Sequence, residues 1–529
     1  MLKKLDKYLL ALTYAYLVFP IILFAFGWIN PILAVILTIM SLYAALKTVK
    51  DFQNPFMSDH LVKFLSLKIL MALAITLAVT YWVYLSGIGG FTYQNEDFEL
   101  RNAMLRDLTD FNWPVIYDYP AQPDLHELAG HRGALVYYFI YWLPAALFGK
   151  IFGGWVAANI FLYIWTVLGI LLGFYWFSRK FKRISALLLL LFIFWSGMDA
   201  AGWLERGRPL SPGIHLEWWA EVFQYSSNTT CLFWVFNQAV APWIIIMLFA
   251  TNRINKKQLL FTYALCLPYG PFSFIGLAPF VAYYLLSGPD ALKIFSRRRL
   301  PDLRALWHNL KAVVSVSNLL VAPFIMGVFW LFFKNPGSLF SFEFLWKPLF
   351  NFNETLKHLH FVFDYFLFCL LEFGIYALLI SGKFKKDPVF LIAVCSLSLI
   401  PSFCMGLNND FAMRASIPAL LFLMVYVAEF LAETKPQGLK DKILKFSLIG
   451  FLLIGAITPF NEIYRSMDIT GKNPRGIICD RWHTLSTIED FKTGGLGVFV
   501  VKDPQDTLFF KYLGNNSCRE LPNQSLSQR

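Results

Sequence analysis

Residues 93–104 of this 529-residue chain read YQNEDFELRNAM and form its first long run of ionisable side chains. They follow directly on the apolar segment Leu67–Leu85. An apolar helix of about 20 residues crosses about 30 Å of hydrocarbon. The apolar segment is therefore predicted to span a membrane and to deliver the charged stretch to the opposite surface, where water-requiring chemistry can take place.

The composition places the whole chain in the same class. Hydrophobic residues make up 57% of it and charged residues only 15%, against about 25% charged residues in soluble domains. The formal net charge is +12, but the lysines and arginines fall in short clusters between apolar runs. This is the positive-inside pattern of membrane proteins and not a nucleic-acid-binding face. The predicted fold class is an all-α polytopic membrane protein.

Counting apolar runs along the chain predicts about 13 transmembrane helices. The lysines at the N-terminus place it in the cytoplasm, and the count then places the C-terminus outside. The first two spans, Leu9–Trp28 and Pro31–Leu46, form a hairpin. Leu135–Phe152 is predicted to lie along the outer interface as an amphipathic helix. Residues 259–286 are read either as two spans or as a re-entrant hairpin, because prolines and a glycine interrupt them.

Three regions follow from this count. Residues 1–66 form a membrane hairpin with a cytoplasmic loop, and residues 67–460 form a transmembrane core with outer loops at 86–154 and 199–233. Residues 461–529 are predicted to be a small outer α/β domain, with strands at Gly494–Val501 and Thr507–Tyr512. Two of its cysteines, Cys479 and Cys518, are able to pair if this part faces an oxidising compartment.

The first candidate site lies at the start of the outer loop. If 96–110 is helical, Asp97, Arg101 and Met104 share one face. Such an acid can act as a general base beside an anion-binding cation. The alternative is a helix-capping acid in an ion pair, which contributes only a few tenths of a kcal/mol.

Two further groups fall on the same predicted side. Carboxylates, amides and aromatic rings in 202–238 suit a carbohydrate site, or else form an aromatic belt at the membrane interface; the candidates are His215, Glu217, Asn237 and Gln238. A metal at His215 has little support from ligand spacing. Arg414, four residues after Asp410, suits a lipid phosphate, and a structural ion pair at the helix end is the alternative. No nucleotide-binding or serine-hydrolase motif is present.

Three stretches resemble outer loops of bacterial membrane proteins of the GT-C glycosyltransferase superfamily. They are the QNEDFELRNA run with the later Trp-Pro-Val and Tyr-Tyr segments in 93–138, the 215–238 loop, and 409–420. The resemblance implies that the acid just after the first core span, Asp97, is the catalytic base. The chain departs from the family at Leu100-Arg101, where relatives carry Lys-His. Adjacent Glu96 is the alternative base.

The reaction that the resemblance implies moves a sugar from a polyprenyl-phosphate donor to a cell-envelope glycan or lipid acceptor, with inversion. One carboxylate suffices as base because the phosphate is already a good leaving group. Asn102 belongs to the expected substrate-binding set, and Arg414, with Arg101 or Arg132, is expected to stabilise the phosphate. The expected location is the outer face of the bacterial cytoplasmic (inner) membrane. No cofactor is certain, and a divalent cation stays open.

Two other functions remain open. A transporter or flippase of lipid-linked saccharides would pair its charges at mid-bilayer on broken helices. A polysaccharide polymerase or ligase would rely on paired arginines more than on a carboxylate. The ionisable residues gather at one predicted surface, which favours the glycosyltransferase.

Overall fold

The computed structural model describes residues 2–52, 65–119, 130–251, 254–287, 303–334, 343–346, 359–405, 409–433, 438–472, 488 and 499–515. The described chain is mostly helical. Its α-helices are α1 (Leu2–Trp28), α2 (Pro31–Lys50), α3 (Leu65–Leu85), α4 (Asp97–Asp110), α5 (Leu143–Phe152), α6 (Gly154–Lys180), α7 (Ala186–Ile193), α8 (Asp199–Glu205), α9 (Asn228–Ala250), α10 (Leu259–Ala264), α11 (Pro271–Leu286), α12 (Leu303–Val313), α13 (Ala322–Phe333), α14 (Leu359–Cys369), α15 (Ile375–Phe384), α16 (Pro388–Leu399), α17 (Asp410–Ala415), α18 (Ile417–Glu433), α19 (Leu439–Gly455) and α20 (Ile457–Lys472). The strands are β1 (Ile116–Asp118), β2 (Arg132–Leu135), β3 (Glu343–Phe344), β4 (Phe403–Cys404) and β5 (Val500–Lys502).

Seven helical segments in the described chain are long and apolar enough to cross a membrane, or eight if the bent pair Trp307–Val313 and Ser317–Phe333 is one span. This confirms a polytopic, mostly helical membrane protein. The sequence count of about 13 also included segments that form shorter helices in the structure, among them Ile69–Leu85 and Pro388–Ser402.

The N-terminal hairpin is formed as predicted. Asn30 caps α2 by accepting a hydrogen bond from the Leu33 N–H (3.0 Å), and Pro31 follows in the first turn, where a missing N–H has no cost. The tip of the hairpin also binds the C-terminal segment, because the Asn30 N–H donates to the Leu513 carbonyl (2.8 Å). The tip and residues 499–515 therefore lie at the same end of the bundle.

The core is centred on α9. In the most apolar 18-residue stretch of this helix, 94% of the residues are buried. It packs against α6 and, through Gly169 of α6, lies close to α1. A Cβ at Gly169 would lie 2.3 Å from the Tyr16 hydroxyl and 2.5 Å from Val240. Only glycine lets the three helices approach this closely.

A three-stranded antiparallel sheet covers the end of the bundle that holds the hairpin tip. Its order is β1-β2-β5, with Tyr117 opposite Gly133 and Ala134 opposite Val501. The sheet therefore joins the outer loop to the C-terminal segment.

The predicted domain boundary between residues 460 and 461 is wrong, because it falls inside α20. The described C-terminal residues pack on the core instead of forming a unit apart. The strand predicted at Thr507–Tyr512 is also wrong, since Phe509–Leu513 is a helical turn; its aromatic side chains fill a cluster with Phe24 and Phe332. Residues 494–498, Cys479 and Cys518 lie outside the described part of the chain.

The predicted interfacial helix Leu135–Phe152 is shorter and more deeply buried than expected. Leu135 ends β2, a 3₁₀ turn covers Phe139–Trp142, and α5 begins only at Leu143. Residues 134–146 are buried, because their aromatic side chains fill the space between α1, α4 and α9. A turn at Gly153 and Gly154, both with positive φ, folds α5 back on α6.

In residues 259–286 the predicted break is present. The six-residue α10 ends in a turn, and α11 starts at Pro271. Six helical residues rise only about 9 Å, so α10 cannot cross a membrane by itself.

Candidate functional site

The first half of the candidate site is the start of α4. Arg101 Nη2 donates to Asp97 Oδ2 at 2.6 Å, which confirms that these residues share a face. The arginine side chain is 6% exposed and the aspartate side chain 42%. Phe98 and Phe236 pack against the guanidinium, with ring centroids 5.7 and 6.0 Å from it. The carboxylate therefore faces water while its cation is held in the protein interior.

The loop before α4 is fixed by amides. Asn102 Nδ2 donates to Gln94 Oε1 (2.8 Å), and Gln94 Nε2 donates to the Gly87 carbonyl (2.8 Å). Asn95 Nδ2 donates to the Phe233 carbonyl (3.0 Å), next to a kink where Val235 of α9 has non-helical backbone angles. Asn102 therefore holds the loop that positions Asp97, and its predicted role in substrate binding stays a prediction.

The far end of α4 is tied to the sheet. Asp107 Oδ2 accepts hydrogen bonds from the Tyr117 hydroxyl (2.8 Å) and from the Ile488 N–H (2.9 Å). Burial raises the pKa of Asp107 to about 7, against the opposing effect of these two donors. Both ends of α4 are thus anchored by buried polar contacts.

The second half of the site is α17, far away in sequence. Arg414 Nη1 lies 2.6 Å from Asp410 Oδ1, and again the arginine is buried (9%) and the aspartate partly exposed (31%). Ser273 donates to the Arg414 carbonyl (3.1 Å). Gly276 packs so closely that a Cβ there would lie 1.9 Å from the Ala415 carbonyl oxygen. The N-terminal part of α11 therefore sets the position of Arg414.

Charges of both Asp–Arg pairs act on Tyr137, which Tyr138 follows directly in the chain. The ring centroids of the two tyrosines are 4.0 Å apart. Burial raises the pKa of Tyr137, although the positive charges of Arg101 and Arg414 act on its hydroxyl in the opposite direction. The negative charges of Asp410 and Asp97 add to the increase in the pKa of Tyr137. The charges of all four groups therefore act on one hydroxyl, and we call the two Asp–Arg pairs together with Tyr137 and Tyr138 the Asp–Arg site.

Several buried polar atoms near this site have no hydrogen-bond partner among the described residues. They include Arg101 Nη1 and Arg414 Nε, and both amide atoms of Asn237 and of Gln238 in α9. Both amide residues are completely buried. Leaving a buried polar atom unsatisfied costs about 1–3 kcal/mol. Such atoms indicate a place for water or for a polar ligand.

Arg132 and Glu96 are placed differently. Arg132 Nε pairs with Asp118 Oδ1 across β1 and β2 (2.9 Å), and both side chains are substantially exposed. Glu96 is exposed at the N-cap position of α4 and makes no capping hydrogen bond. The described contacts connect neither residue to Arg414.

His215 belongs to a second cluster, on the other side of the α9 kink. His215 Nδ1 lies 2.9 Å from Glu462 Oε1, and Glu462 Oε2 accepts from Trp234 Nε1 (3.0 Å) and from Arg465. Burial lowers the pKa of His215, but the hydrogen bond and charge of Glu462 raise it overall. His215 Nδ1 is therefore engaged in a buried contact with Glu462.

Glu217 extends this cluster. Its carboxylate accepts from the Ser227 N–H (2.8 Å) and from Gln224 Nε2 (3.2 Å). Burial raises the pKa of Glu217 to about 7. Because the group is wholly buried, Glu217 serves the packing of its own loop.

A carboxyl pair completes the cluster. Asp199 and Glu372 act electrostatically on each other, and both are buried. Asp199 also accepts from Ser196 (3.1 Å) and Thr458 (2.9 Å), and Glu372 from Trp219 Nε1 (3.0 Å). We call these groups the acid network; its members are Asp199, His215, Glu217, Glu372, Glu462 and Arg465.

Sequence reasoning missed both the tyrosine pair as part of the site and most of the acid network. One signal was available. Glu372 lies inside the predicted span Phe361–Ile380, and ionisable residues in spans are functional candidates. Its helix contains a π-helical segment, Leu370–Gly374, a distortion frequent at functional sites.

Neither a metal site nor a disulfide is evident in the described part of the chain. No group of three or more His, Cys, Asp or Glu side chains there could hold a metal ion. The five described cysteines are free thiols.

Comparison with protein-family models, with curated proteins and with solved structures gives no match to this chain. The assignment of a function therefore depends on the geometry of the site.

Proposed function

We propose that this protein is a membrane glycosyltransferase of the GT-C type that uses a polyprenyl-phosphate sugar as donor and a cell-envelope glycan or lipid as acceptor. The observation that carries the proposal is the Asp–Arg site. Two buried arginines from distant parts of the chain share one site with two partly exposed carboxylates. This is the charge arrangement that a phosphate leaving group and a hydroxyl nucleophile need.

In this proposal Asp97 is the general base. Its Oδ2 is held by Arg101, and among the described contacts Oδ1 accepts no hydrogen bond. Oδ1 would take the proton of the acceptor hydroxyl as that oxygen attacks the anomeric carbon. The bond from this carbon to the phosphate oxygen breaks, and the electron pair leaves with the carrier phosphate.

Arg101 and Arg414 would neutralise the phosphate as it leaves. Arg101 Nη1 and Arg414 Nε are two of the buried donors that have no hydrogen-bond partner in the described part of the chain, and arginine suits phosphate geometry.

The test is sugar transfer from a panel of polyprenyl-phosphate sugars by purified protein in a membrane-like detergent. Asp97→Asn should lower turnover by about 100-fold or more, on the order of what a general base contributes. Glu96→Gln should leave it nearly unchanged.

Asp110→Asn is the matched control, because Asp110 pairs with Arg106 on the same helix at the same i, i+4 spacing, but Arg106 is exposed whereas Arg101 is buried. Equal activity of Asp97→Asn and Asp110→Asn would reject Asp97 as the base. Absence of turnover with every donor would reject the glycosyltransferase.

One observation favours a transporter or flippase of lipid-linked saccharides instead. Glu372 lies in a candidate span, in a distorted helix, and is buried. Intramembrane carboxyl groups are typical of proton relays in transporters. Tight lipid binding without turnover, together with proton uptake that Glu372→Gln abolishes, would support this alternative.

The paired arginines also fit the polysaccharide polymerase or ligase. For that function Arg414→Lys should abolish turnover while Asp97→Asn leaves it intact. The same set of variants thus distinguishes all three candidates.

A further inference from the structure

An apolar groove of about 650 Å³ lies between α7, α18 and α19. Leucines of α7 and isoleucine and leucine side chains of α19 form its walls, and the small residues Ala428 and Ala432 of α18 lie in its lining. Two charged residues, Arg183 and Lys445, belong to the lining as well.

The groove exists because two helices leave space. Helix α7 has only eight residues, and the chain leaves the helix at Phe194. Helix α19 stands apart from its neighbours, since Leu448 and Gly455 are its buried residues, while Phe446 and Leu453 are exposed.

The groove lies at the end of the bundle opposite the Asp–Arg site. The start of α6 is beside α4, because Lys150, just before it, donates to the Thr109 carbonyl (2.9 Å). Helix α6 then rises about 40 Å over its length and ends at Lys180, three residues before Arg183. On α18, Ala428 lies 14 residues beyond Arg414, or about 21 Å.

The two basic residues lie together at one end of the groove. Arg183 is exposed and Lys445 half-buried, and Lys182 is exposed beside them. Among the described side chains, the acidic groups near this end include Asp441, one turn before Lys445. Glu429 pairs with Lys180 (3.6 Å) and Asp6 with Arg179 (2.7 Å). Basic groups therefore prevail at this end.

The other end is apolar and closed. A Cβ at Gly455 would lie 2.5 Å from the Tyr376 hydroxyl and 2.9 Å from the Ser196 carbonyl oxygen. From Lys445 to Ala456 the groove extends 11 residues along α19, or about 16 Å. This is about half of the 30 Å thickness of the hydrocarbon core, the depth of a single leaflet.

We propose that the groove binds an acidic phospholipid of the leaflet opposite the Asp–Arg site. Its phosphate lies at Arg183 and Lys445, and an acyl chain lies between α7 and α19. The positive end selects an anionic head group. The closed inner end selects a chain one leaflet long over the longer chain of a polyprenyl carrier.

The test is retention of lipid by the purified full-length protein, measured by native mass spectrometry after exchange with dioleoyl phosphatidylglycerol or dioleoyl phosphatidylcholine. Wild-type protein should retain phosphatidylglycerol at least tenfold more than phosphatidylcholine. The double variant Arg183→Ala/Lys445→Ala should lose this preference. Ala432→Trp, which fills the groove, should lower retention of phosphatidylglycerol to the same level.

Arg183→Lys/Lys445→Arg is the conservative variant, and it should keep the preference if charge is the cause. Lys511→Ala is the control at the opposite end of the bundle, and it should match wild type. Equal retention of both lipids by wild type, or unchanged preference in the double alanine variant, would overturn the proposal. Stronger retention of undecaprenyl phosphate than of phosphatidylglycerol at these residues would assign the groove to the carrier and also overturn it.

Discussion

Two clusters of charge flank the kink of α9, and they differ in how their charges are balanced. In the Asp–Arg site each arginine has its own aspartate, and both carboxylates are partly exposed. In the acid network four carboxyl groups share two cationic side chains, and every carboxyl group is buried; they are Asp199, Glu217, Glu372 and Glu462.

The Asp–Arg site can therefore exchange with water, whereas the acid network cannot. A buried carboxylate without a cation is costly, so the acid network must retain protons. The Asp–Arg site does not need to retain protons, because each aspartate has its own arginine. Its carboxylates stay available to a substrate. We therefore expect substitutions in the acid network to affect stability first, and substitutions in the Asp–Arg site to affect turnover first.

Glu462→Gln should give the largest loss of stability. It removes the counter-charge of two buried cations, His215 and Arg465, and breaking a buried ion pair costs about 3–5 kcal/mol. Thermal unfolding in detergent measures the effect. Glu205→Gln is the control, because Glu205 pairs with Arg206 in a partly exposed position (3.6 Å). Equal shifts in both variants would show that the network does not stabilise the fold.

The pH dependence should follow the acid network. The pKa of Glu217 is higher in the folded protein, about 7, than in the unfolded chain. The folded state therefore holds an extra proton between about pH 4.5 and 7. Stability should be greatest below this window, fall as the pH rises through it, and level off above it. The raised pKa of His215 acts in the same direction.

Glu217→Gln should remove part of this slope. A shift of this size corresponds to at most about 3 kcal/mol. Unfolding temperatures of wild type and Glu217→Gln from pH 5 to pH 8 provide the measurement, and Asp110→Asn should keep the wild-type slope. A wild-type protein that is more stable at pH 8 than at pH 5 would contradict the expectation.

Gly276→Ala should damage the Asp–Arg site through packing. The added methyl group would meet the Ala415 carbonyl, and overpacking of this kind costs about 1–3 kcal/mol. It should displace Arg414 and lower turnover more than it lowers the unfolding temperature. Gly327→Ala is a suitable control, because nothing lies within 4 Å of a Cβ built at that helical glycine.

The smallest effect should come from the exposed pair on α4. Arg106 Nε lies 3.4 Å from Asp110 Oδ2, and both side chains are exposed. Pairs of this kind contribute at most about 1 kcal/mol, so Asp110→Asn should change the unfolding temperature very little. A decrease in unfolding temperature as large as that of Glu462→Gln would show that the exposed and the buried ion pairs contribute equally to stability.

Local patterns were enough to predict some elements closely. The N-terminal hairpin is one, because an amide cap and a following proline leave only one way to begin α2. The Asp97–Arg101 and Asp410–Arg414 pairs are others, because i, i+4 contacts depend only on helix geometry. The predictions of a long interfacial helix and of a separate C-terminal domain did not match the structure, for the opposite reason. Burial of Tyr137–Trp142, and pairing of β5 with β2, depend on partners that are distant in the chain.

The sequence by itself determined that this is a polytopic helical membrane protein, since its length of apolar chain can be buried only in lipid or in other apolar helices. It also determined that each Asp–Arg pair shares a helix face. Only the tertiary structure brought the two pairs together around Tyr137, and only it revealed that Asp199, Glu217, Glu372 and Glu462 meet in one network. Contacts such as that between His215 and Glu462, which are 247 positions apart, depend on how helices pack, and no local pattern of residues records that packing.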